Sequence, residues 1–412
     1  MQGAVGTNPA TQAPDAPSTT YRVLMIAPTS FFGDYGCHVR ILEETRALTA
    51  LGCRVTICTY HNGRDLPGID VRRTLSIPWR SNYEVGSSRH KIGFDLLLAL
   101  RSFVAMFQVR PDLVHAHLHE GALIGYPLAK LWGVPLVFDY QGSLTSEMVD
   151  HHFLKPNGLL YRPMLRLEKL IDWASPRILT SSEHAANLLD QEFRHPLHKV
   201  TRVPDCVNTE TFCPAQDPAE VLRLKRAWSI PPERLVVIYL GLLAEYQGTR
   251  HLLEAAQAVC RQRDDVHFVI GGYPHVDEYR YLAGQLGIAE HVTFAGKIRY
   301  EDAPHFLSMG DVAVCPKLSK TEGAGKLLNY MALALPVVAF DTCVSHEYLQ
   351  GHGVYAANGD SVDLARALLE LLTDPARRAE LGSALRQRAQ ERYGLDHLGR
   401  TIMGVYREML RS

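Results

Sequence analysis

The sequence lacks several features that would place it in common protein classes. No apolar run approaches the roughly 18 residues that span a bilayer, so no membrane-spanning segment is predicted. Basic residues are not in excess, because 43 Lys and Arg stand against 44 Asp and Glu, which argues against a nucleic-acid binder. Residues 1–20 lack the basic start and apolar core of a signal peptide and are predicted to be a disordered tail.

Motifs for disulfides, dinucleotides and divalent metals are also missing. The eight cysteines include no Cys-x-x-Cys pair, which predicts reduced, mostly buried thiols in a cytoplasmic protein. The first loop contains Gly33 and Gly36 but no Gly-x-Gly-x-x-Gly, and the second strand ends in Tyr60 and His61 without an acid. Both observations argue against an NAD-dependent oxidoreductase. No Asp-x-Asp is present, so no Mg²⁺ or Mn²⁺ site of the usual type is predicted.

Apolar strands and amphipathic helices alternate in two successive halves of the chain. Strand-helix-strand units begin near Tyr21 and again near Leu235, which predicts an α/β protein with a doubly wound parallel sheet in each half. The polar segment 205–214 is the predicted hinge. The predicted divisions are a tail at 1–20, an acceptor-side Rossmann-like domain at 21–207, a donor-nucleotide Rossmann-like domain at 208–394 and a last helix at 395–412.

The segment 311–341 contains the strongest candidate for an anion site. A short apolar run, a polar loop with glycines and an amphipathic helix follow one another there. The loop carries Lys317, Lys320 and Lys326, and the free N–H groups of a helix N-terminus attract anions. The alternative is an ordinary strand-loop-helix turn with solvated lysines.

Three histidines alternate at the end of the predicted strand 112–118. An extended chain would direct His115, His117 and His119 to one face. They could ligate a metal, but no cluster of recognised ligand spacing accompanies them. We expect one histidine to line the cleft at the carboxyl ends of the strands, and the others to pack or face solvent.

A predicted helix over 159–174 has a basic edge formed by Arg162, Arg166 and Lys169. Such an edge usually faces solvent, and the alternative is contact with an anionic membrane surface. The sequence is therefore compatible with a cytoplasmic protein that contacts the inner face of the membrane.

Several motifs, taken in order and spacing, resemble those of one enzyme family. They are GCHV at 36–39, DLVHAHLHEGALIGY at 112–126, VPDCVNTETFCP at 203–214, YLGLLAEYQGTRHLLEA at 239–255, VIGG at 269–272, VTFAGKI at 292–298 and TEGAGKLLNYMALALPVVAFD at 321–341. Over almost all of residues 21–412 the chain resembles the GT-B glycosyltransferases of glycosyltransferase family 4. This resemblance implies two Rossmann-like domains across a cleft and a last helix that crosses back to the first domain.

The resemblance also implies roles for individual residues. His117 is expected to face the donor sugar and Glu322 to contact it, which makes these two the catalytic candidates. The position of the family's ribose-binding glutamate is Asn329 here. The expected donor-binding residues are Gly36, Gly241, Gln247, Lys297, Gly323, Gly325, Lys326 and Asn329.

Departures from the family pattern concern the donor diphosphate. The family's diphosphate-binding Arg and Lys correspond to Leu242 and Gln247 here, and its two-glutamate spacing is one residue shorter. Cations elsewhere and helix N-termini must then stabilise the leaving diphosphate. Lys326 is the predicted replacement.

The function implied is that of a retaining glycosyltransferase. It would move a sugar from a nucleotide-diphosphate sugar to a hydroxyl of a glycan, lipid or small molecule, with no metal and no further cofactor. One alternative, favoured by the loss of the two cations, is a non-catalytic GT-B subunit that binds a sugar nucleotide or a partner transferase. The other is a different GT-B reaction, such as sugar-nucleotide epimerisation or hydrolysis. Neither the acceptor nor the oligomeric state has a readable signal in the sequence.

Overall fold

A computed structural model of the chain describes residues 20–76, 91–150, 153–156, 158–318 and 324–411. These residues form two parallel sheets, with seven strands described in the first and six in the second. Helices connect successive strands, except between Arg54–Thr59 and Asp70–Arg73. The predicted α/β class with two doubly wound sheets is therefore confirmed.

The first sheet has the strand order β3-β2-β1-β4-β5-β6-β7. Its strands are β1 (Arg22–Ala27), β2 (Arg54–Thr59), β3 (Asp70–Arg73), β4 (Leu113–His117), β5 (Leu136–Tyr140), β6 (Ile178–Thr180) and β7 (Val200–Arg202). Its helices are α1 (Gly36–Ala50), α2 (Lys91–Val109), α3 (Leu118–Trp132), α4 (Leu144–Asp150), α5 (Tyr161–Ala174) and α6 (Glu183–Gln191). In β1, Val23 and Met25 belong to one core while Leu24 and Ile26 belong to another. Burial on both faces explains the unbroken apolar run.

The second sheet has the strand order β10-β9-β8-β11-β12-β13. Its strands are β8 (Leu235–Leu240), β9 (Val266–Gly271), β10 (Val292–Gly296), β11 (Val312–Cys315), β12 (Val337–Phe340) and β13 (Val354–Ala356). The remaining helices are α7 (Pro218–Ala227), α8 (Thr249–Cys260), α9 (Val276–Gln285), α10 (Ala303–Leu307), α11 (Gly325–Ala332), α12 (Cys343–Leu349), α13 (Ser361–Thr373), α14 (Pro375–Arg392) and α15 (Leu395–Arg411). β8 and β11 are central, so the loops that follow them open at the middle of the sheet.

The last helix, α15, packs on the first domain. Tyr406 is buried, and its Oη lies 2.8 Å from Nδ1 of His115 in β4. Gly399 allows a close approach to α1, because a Cβ there would lie 3.2 Å from the carbonyl oxygen of Ala47. The chain therefore closes on the domain in which it began.

Helix α2 differs from the expectation that no segment could span a membrane. By length and composition alone it is apolar enough to do so. It contains three ionisable residues, however, which are Lys91, Asp95 and Arg101, and Asp95 accepts a hydrogen bond from Tyr60 Oη at 2.5 Å. The helix also packs on β1, β2 and α3. We therefore assign α2 to the helical layer of the first sheet.

The close contact between α14 and the end of α11 generates a stability prediction. A Cβ at Gly382 would lie 2.0 Å from the carbonyl oxygen of Ala334. Gly382→Ala should destabilise the protein by about 1–3 kcal/mol, because overpacking outweighs the gain in helix propensity. At Gly404 in α15, by contrast, a Cβ would meet no described atom within 4 Å.

Gly404→Ala is therefore the matched control and should stabilise the protein by about 0.5–1 kcal/mol. Urea unfolding measures the free energy of unfolding of both variants. A Gly382→Ala variant that is as stable as wild type would contradict the packing.

Candidate active site

A cavity of about 310 Å³ lies between the two domains, at the carboxyl ends of both sheets. This volume is at the lower end of the range for small-molecule sites. Loops after β1, β5, β8 and β11 supply its walls, as open parallel sheets do for their ligands. Its lining includes six predicted donor-binding residues, which are Gly36, Gly241, Gln247, Gly325, Lys326 and Asn329.

Lys326, in the first turn of α11, extends into this cavity. Its Nζ donates to Gln247 Oε1 at 2.8 Å and to Tyr239 Oη at 3.1 Å. The ammonium also lies 4.5 Å from the centroid of the Tyr239 ring, a cation–π contact. Gly241 leaves the space that it needs, because a Cβ there would lie 2.6 Å from Lys326 Nζ. A lysine ammonium is therefore held beside Gln247, where the resemblance expected a lysine.

The predicted anion-binding loop is described only at its two ends. Lys317 is buried and lines the cavity, and Gly325 lines it at the start of α11. Lys320, Glu322 and Gly323 lie outside the described residues. The roles of Glu322 and Gly323 stay predictions.

The opposite wall of the cavity is organised by Arg40 of α1, whose guanidinium is buried. Nε and Nη2 donate to both oxygens of Asp139 in β5, at distances from 2.6 to 3.1 Å. Nη1 donates to Asp205 Oδ1 at 2.9 Å, and Nη2 lies 3.2 Å from Glu44 Oε1. The planar fork of arginine suits such bidentate pairing. One side chain thereby joins α1, β5 and the predicted hinge.

Protonation in this cluster follows from burial and from Arg40. Burial alone would raise the pKa of Asp139, yet the Arg40 guanidinium and hydrogen bonds hold that pKa well below its usual range. Burial and the charge of Asp139 raise the pKa of Glu44 well above its usual value, despite Arg40. At neutral pH, Asp139 is therefore ionised, and Glu44 is harder to ionise than an ordinary glutamate.

His117 ends β4 with a fully buried ring. Its Nδ1 lies 3.1 Å from Asp139 Oδ2, its Nε2 lies 4.0 Å from Glu44 Oε2, and its ring stacks on His115 with centroids 4.5 Å apart. Leu118, its chain neighbour, is the residue of this segment that lines the cavity. The expected contact between His117 and a donor sugar stays a prediction.

His119 does not share a face with His115 and His117, which corrects the expectation from their spacing. β4 ends at His117, Leu118 has a left-handed φ of 58°, and His119 lies in the first turn of α3. Its Nε2 is 3.3 Å from Asp172 in α5. The alternation of an extended chain does not continue past the turn.

Lys297, another expected donor-binding residue, lies outside the described lining of the cavity. Its Nζ is 3.3 Å from Asp34 Oδ2 and 5.0 Å from the centroid of the Tyr273 ring. Asp34 also accepts hydrogen bonds from Arg64 at 2.5 Å and from the backbone of Tyr300 at 3.0 Å. These contacts hold the glycine loop of the first domain against the second domain.

Two family models match the chain in succession. Residues 36–211 match the model described as Glycosyltransferase Family 4, and residues 221–388 match the model described as Glycosyl transferases group 1. The two matches together cover both domains. The chain belongs to glycosyltransferase family 4.

Proteins with similar sequences are themselves named as glycosyltransferases. Alpha-D-kanosaminyltransferase of Streptomyces kanamyceticus is 26% identical over 72% of this chain and 77% of its own length. D-inositol 3-phosphate glycosyltransferase of Salinispora tropica is 28% identical over 90% of this chain and 81% of its own. The shared regions span both domains in the second case, so the predicted enzyme class is confirmed.

Solved structures agree in fold. Sucrose-phosphate synthase of Thermosynechococcus elongatus has a TM-score of 0.78 at 18% identity, over 95% of this chain and 99% of its own. Anabaena HepE in complex with UDP and glucose has a TM-score of 0.75 at 14% identity, over 94% of this chain and 100% of its own. The GT-B fold of the glycosyltransferase is therefore confirmed.

Sequence reasoning missed Arg40, Asp139 and Tyr239 as residues of the site. A signal for Asp139 was present, because a carboxylate interrupts the otherwise apolar strand LVFDY at 136–140. A charge in a buried strand requires a partner. The partner could not be named, because Arg40 lies 99 positions away in the sequence.

Replacing Arg40 should expose the role of its charge. Arg40→Met leaves Asp139 as a buried carboxylate without its main counter-charge, which should destabilise the protein by about 3–5 kcal/mol at neutral pH. The loss should shrink as pH falls. Without Arg40, burial raises the pKa of Asp139 above its unfolded value, so acid relieves the penalty in the variant. Wild type keeps the stability that its lowered pKa provides until the pH falls below about 4.

Denaturant unfolding of both proteins from about pH 5 to about pH 8 measures this difference. Arg223→Met is the control, because Arg223 and its partner Asp217 are both exposed, so no buried carboxylate loses a counter-charge. A difference between wild type and Arg40→Met that does not change with pH would contradict the assignment.

Proposed function

We propose that this glycosyltransferase uses a nucleoside-diphosphate sugar, transfers the sugar with retention of configuration, and needs no metal ion for the transfer step itself. The observation that supports this most directly is the ammonium of Lys326 inside the cavity. Negative charge builds on the diphosphate as it leaves, and fixed cations and helix N-termini can stabilise it. Lys326 and the N-terminus of α11 supply both at one place.

The cavity has two chemically different sides. Asn329 and Lys326 lie on the side of the second domain, where an amide can hydrogen-bond ribose hydroxyls and an ammonium can bind phosphate. Gly36 faces them from the N-terminus of α1, and a Cβ there would meet no described atom within 4 Å. We propose that the diphosphate lies between these two helix N-termini.

The acceptor side of the cavity is lined by Gln141, Ser143 and Glu147. Relatives are named for D-inositol 3-phosphate, for 2-deoxystreptamine and for a phosphatidylinositol monomannoside. We propose accordingly that the acceptor is a small molecule or a lipid whose hydroxyl is presented at this side. A carboxylate such as Glu147 can orient an acceptor hydroxyl by accepting its hydrogen bond.

The non-catalytic alternative rests on the loss of two cations at Leu242 and Gln247. The position of Lys326 weakens that argument, because one cation is returned to the same place. Incubating the protein with a panel of nucleotide sugars separates the two functions. Stabilisation by one sugar nucleotide, with slow release of its diphosphate, supports the enzyme; stabilisation without turnover in any acceptor mixture supports the binding subunit.

Removing the charge of Lys326 should weaken donor binding. Lys326→Met retains an apolar chain over Tyr239, so only the ammonium is lost. A charge-assisted contact is worth about 1.5–3 kcal/mol, so affinity for the nucleoside diphosphate should fall by roughly one to two orders of magnitude. Calorimetric titration with UDP, GDP, ADP and dTDP measures it.

Lys297→Met is the comparison variant for this titration, since Lys297 is not among the described lining residues, although its partner Asp34 is. We expect it to change affinity less than Lys326→Met does. Equal affinities of wild type and Lys326→Met would show that the diphosphate is held elsewhere.

Metal independence gives a separate prediction. Transfer activity should persist in excess EDTA at temperatures where the treated protein stays folded, because the chain has no Asp-x-Asp and a lysine can stabilise the leaving group. The melting temperature is measured in the same buffer, so that any loss of structure is distinguished from a loss of chemistry. A strict requirement for added Mg²⁺ or Mn²⁺ by a fully folded protein would defeat the proposal.

We further propose that one surface of the first domain contacts an anionic membrane on the cytoplasmic side. α3 packs between α2 and α5. On α5, Trp173 is 75% exposed and Leu170 is 59% exposed, beside the exposed Arg166 and Lys169. Exposed apolar side chains continue on the other two helices, at Leu96, Leu100, Phe103, Phe107, Leu123 and Leu131. Apolar and aromatic groups edged by basic ones are typical of interfacial helices.

This surface, the α2–α3–α5 face, predicts vesicle binding. Sedimentation with phosphatidylglycerol vesicles should carry down wild type, and phosphatidylcholine vesicles should carry down less. Replacing Trp173 and Leu170 together by Ser should lower binding several-fold, while Leu222→Ser, at an exposed position of α7, should not. Binding of all three proteins alike, or of none, would contradict this surface as the site of contact.

A further inference from the structure

A second group of titratable residues lies outside the cavity, between α3 and α5. His119 Nε2 is 3.3 Å from Asp172 Oδ1 and 3.7 Å from Glu168 Oε1. The three residues are 3%, 1% and 0% exposed in that order. One ligand atom from each lies within 4.8 Å of the others. Two carboxylates and an imidazole are therefore enclosed together in the protein interior.

The negative charge of this group has little compensation. Among the described residues, no Lys or Arg forms an ion pair with Glu168 or Asp172. A protonated His119 could offset only one of the two buried carboxylates. An isolated buried charge is strongly unfavourable, so the site requires a further positive charge or a proton.

Several polar atoms of the group also lack hydrogen-bond partners. His119 Nε2 and both oxygens of Asp172 have no hydrogen-bond partner among the described residues, because the 3.3 Å approach between them lacks hydrogen-bond geometry. Buried polar atoms without partners are uncommon. One nitrogen of His119, one oxygen of Asp172 and one oxygen of Glu168 lie within 4.8 Å of one another.

We propose that His119, Glu168 and Asp172 bind a divalent transition-metal ion. One imidazole nitrogen and two carboxylate oxygens form a donor set that Zn²⁺ and Mn²⁺ accept. Ligand atoms 3.3 and 3.7 Å apart can each reach a shared ion at about 2.0–2.2 Å. Two positive charges balance the two carboxylates, and the ion takes up the unpartnered atoms.

The other enclosed group, Glu44, His115 and His117, has similar donor types but carries no such proposal. Arg40 Nη2 already lies 3.2 Å from Glu44 Oε1, and it would repel a cation there. His115 Nδ1 is occupied by the hydroxyl of Tyr406. The contrast between the groups therefore rests on the nearby arginine.

The ion would have a structural role in the acceptor wall of the cavity. Glu168 accepts hydrogen bonds from the backbone N–H groups of Leu144 and Thr145, both at 3.0 Å, at the start of α4. The adjacent Ser143 and the α4 residue Glu147 line the cavity. An ion bound to Glu168 would thus hold this carboxylate in place, and the carboxylate in turn holds this wall of the cavity. The role is independent of how the donor diphosphate is bound.

Metal analysis tests the proposal on the full chain, with no polyhistidine tag and no chelator during purification. Mass spectrometry of the metals should find about one equivalent of zinc or manganese per chain. His119→Gln and Asp172→Asn should each lower this content at least tenfold. His267→Gln is the control, because His267 is a buried histidine of the second domain that pairs with Thr293, and it should retain the metal.

A second measurement uses wild type alone, in case the variants do not fold. EDTA-treated protein should melt at a lower temperature and recover on addition of Zn²⁺ or Mn²⁺, but not of Mg²⁺. Wild type that contains no metal and whose melting temperature responds to neither ion would overturn the proposal. The group would then be a histidinium paired with a carboxylate. Donor binding by calorimetry is unaffected by either outcome, so a failure here leaves the donor site untouched.

Discussion

The proposed donor site depends on a positive charge held where a diphosphate would lose its bond to a sugar. Lys326 supplies that charge, and three neighbours hold its ammonium in place. Gln247 accepts a hydrogen bond from it, the Tyr239 side chain lies against it, and Gly241 leaves room for it. A larger residue at position 241 would displace the ammonium. The pair of uncharged residues at Leu242 and Gln247 is therefore compatible with the proposed donor site, because Lys326 returns one of the two missing positive charges from another element.

The wall on the first domain depends on a different charge. Arg40 lines the cavity, but its donors bond to Asp139, Asp205 and the carbonyl oxygen of Val203, so its effect on the site is exerted mainly through Asp139. Asp139 in turn faces His117 and sets the orientation of its ring. An arginine suits this place because its planar guanidinium can pair with three carboxylate neighbours at once. A buried positive charge without that geometry would not be stabilised. Loss of this residue would alter the position of His117 before altering any ligand contact.

Much of the fold and part of the site followed from the sequence alone. Apolar runs and turn residues located the strands of both sheets, and the motifs located Gly36, Gly241, Gln247, Gly325, Lys326 and Asn329 at the cavity. His119 was misplaced, because a left-handed residue, Leu118, ends the strand one position earlier than alternation assumes. Arg40 and Asp139 were missed because their pairing is a contact between distant segments, which no local pattern records. The contact between Lys326 and Tyr239 also joins distant segments, so it too was missed.

The most direct test moves the ammonium from Lys326 to the residue that accepts its hydrogen bond, Gln247. In the double variant Lys326→Met with Gln247→Lys, the charge passes from one partner of the 2.8 Å contact to the other, and the net charge is unchanged. The account predicts that the double variant binds the nucleoside diphosphate at least about tenfold more tightly than Lys326→Met alone, as measured by calorimetry. A double variant that binds as weakly as Lys326→Met would show that Lys326 acts for a reason other than its charge at this place.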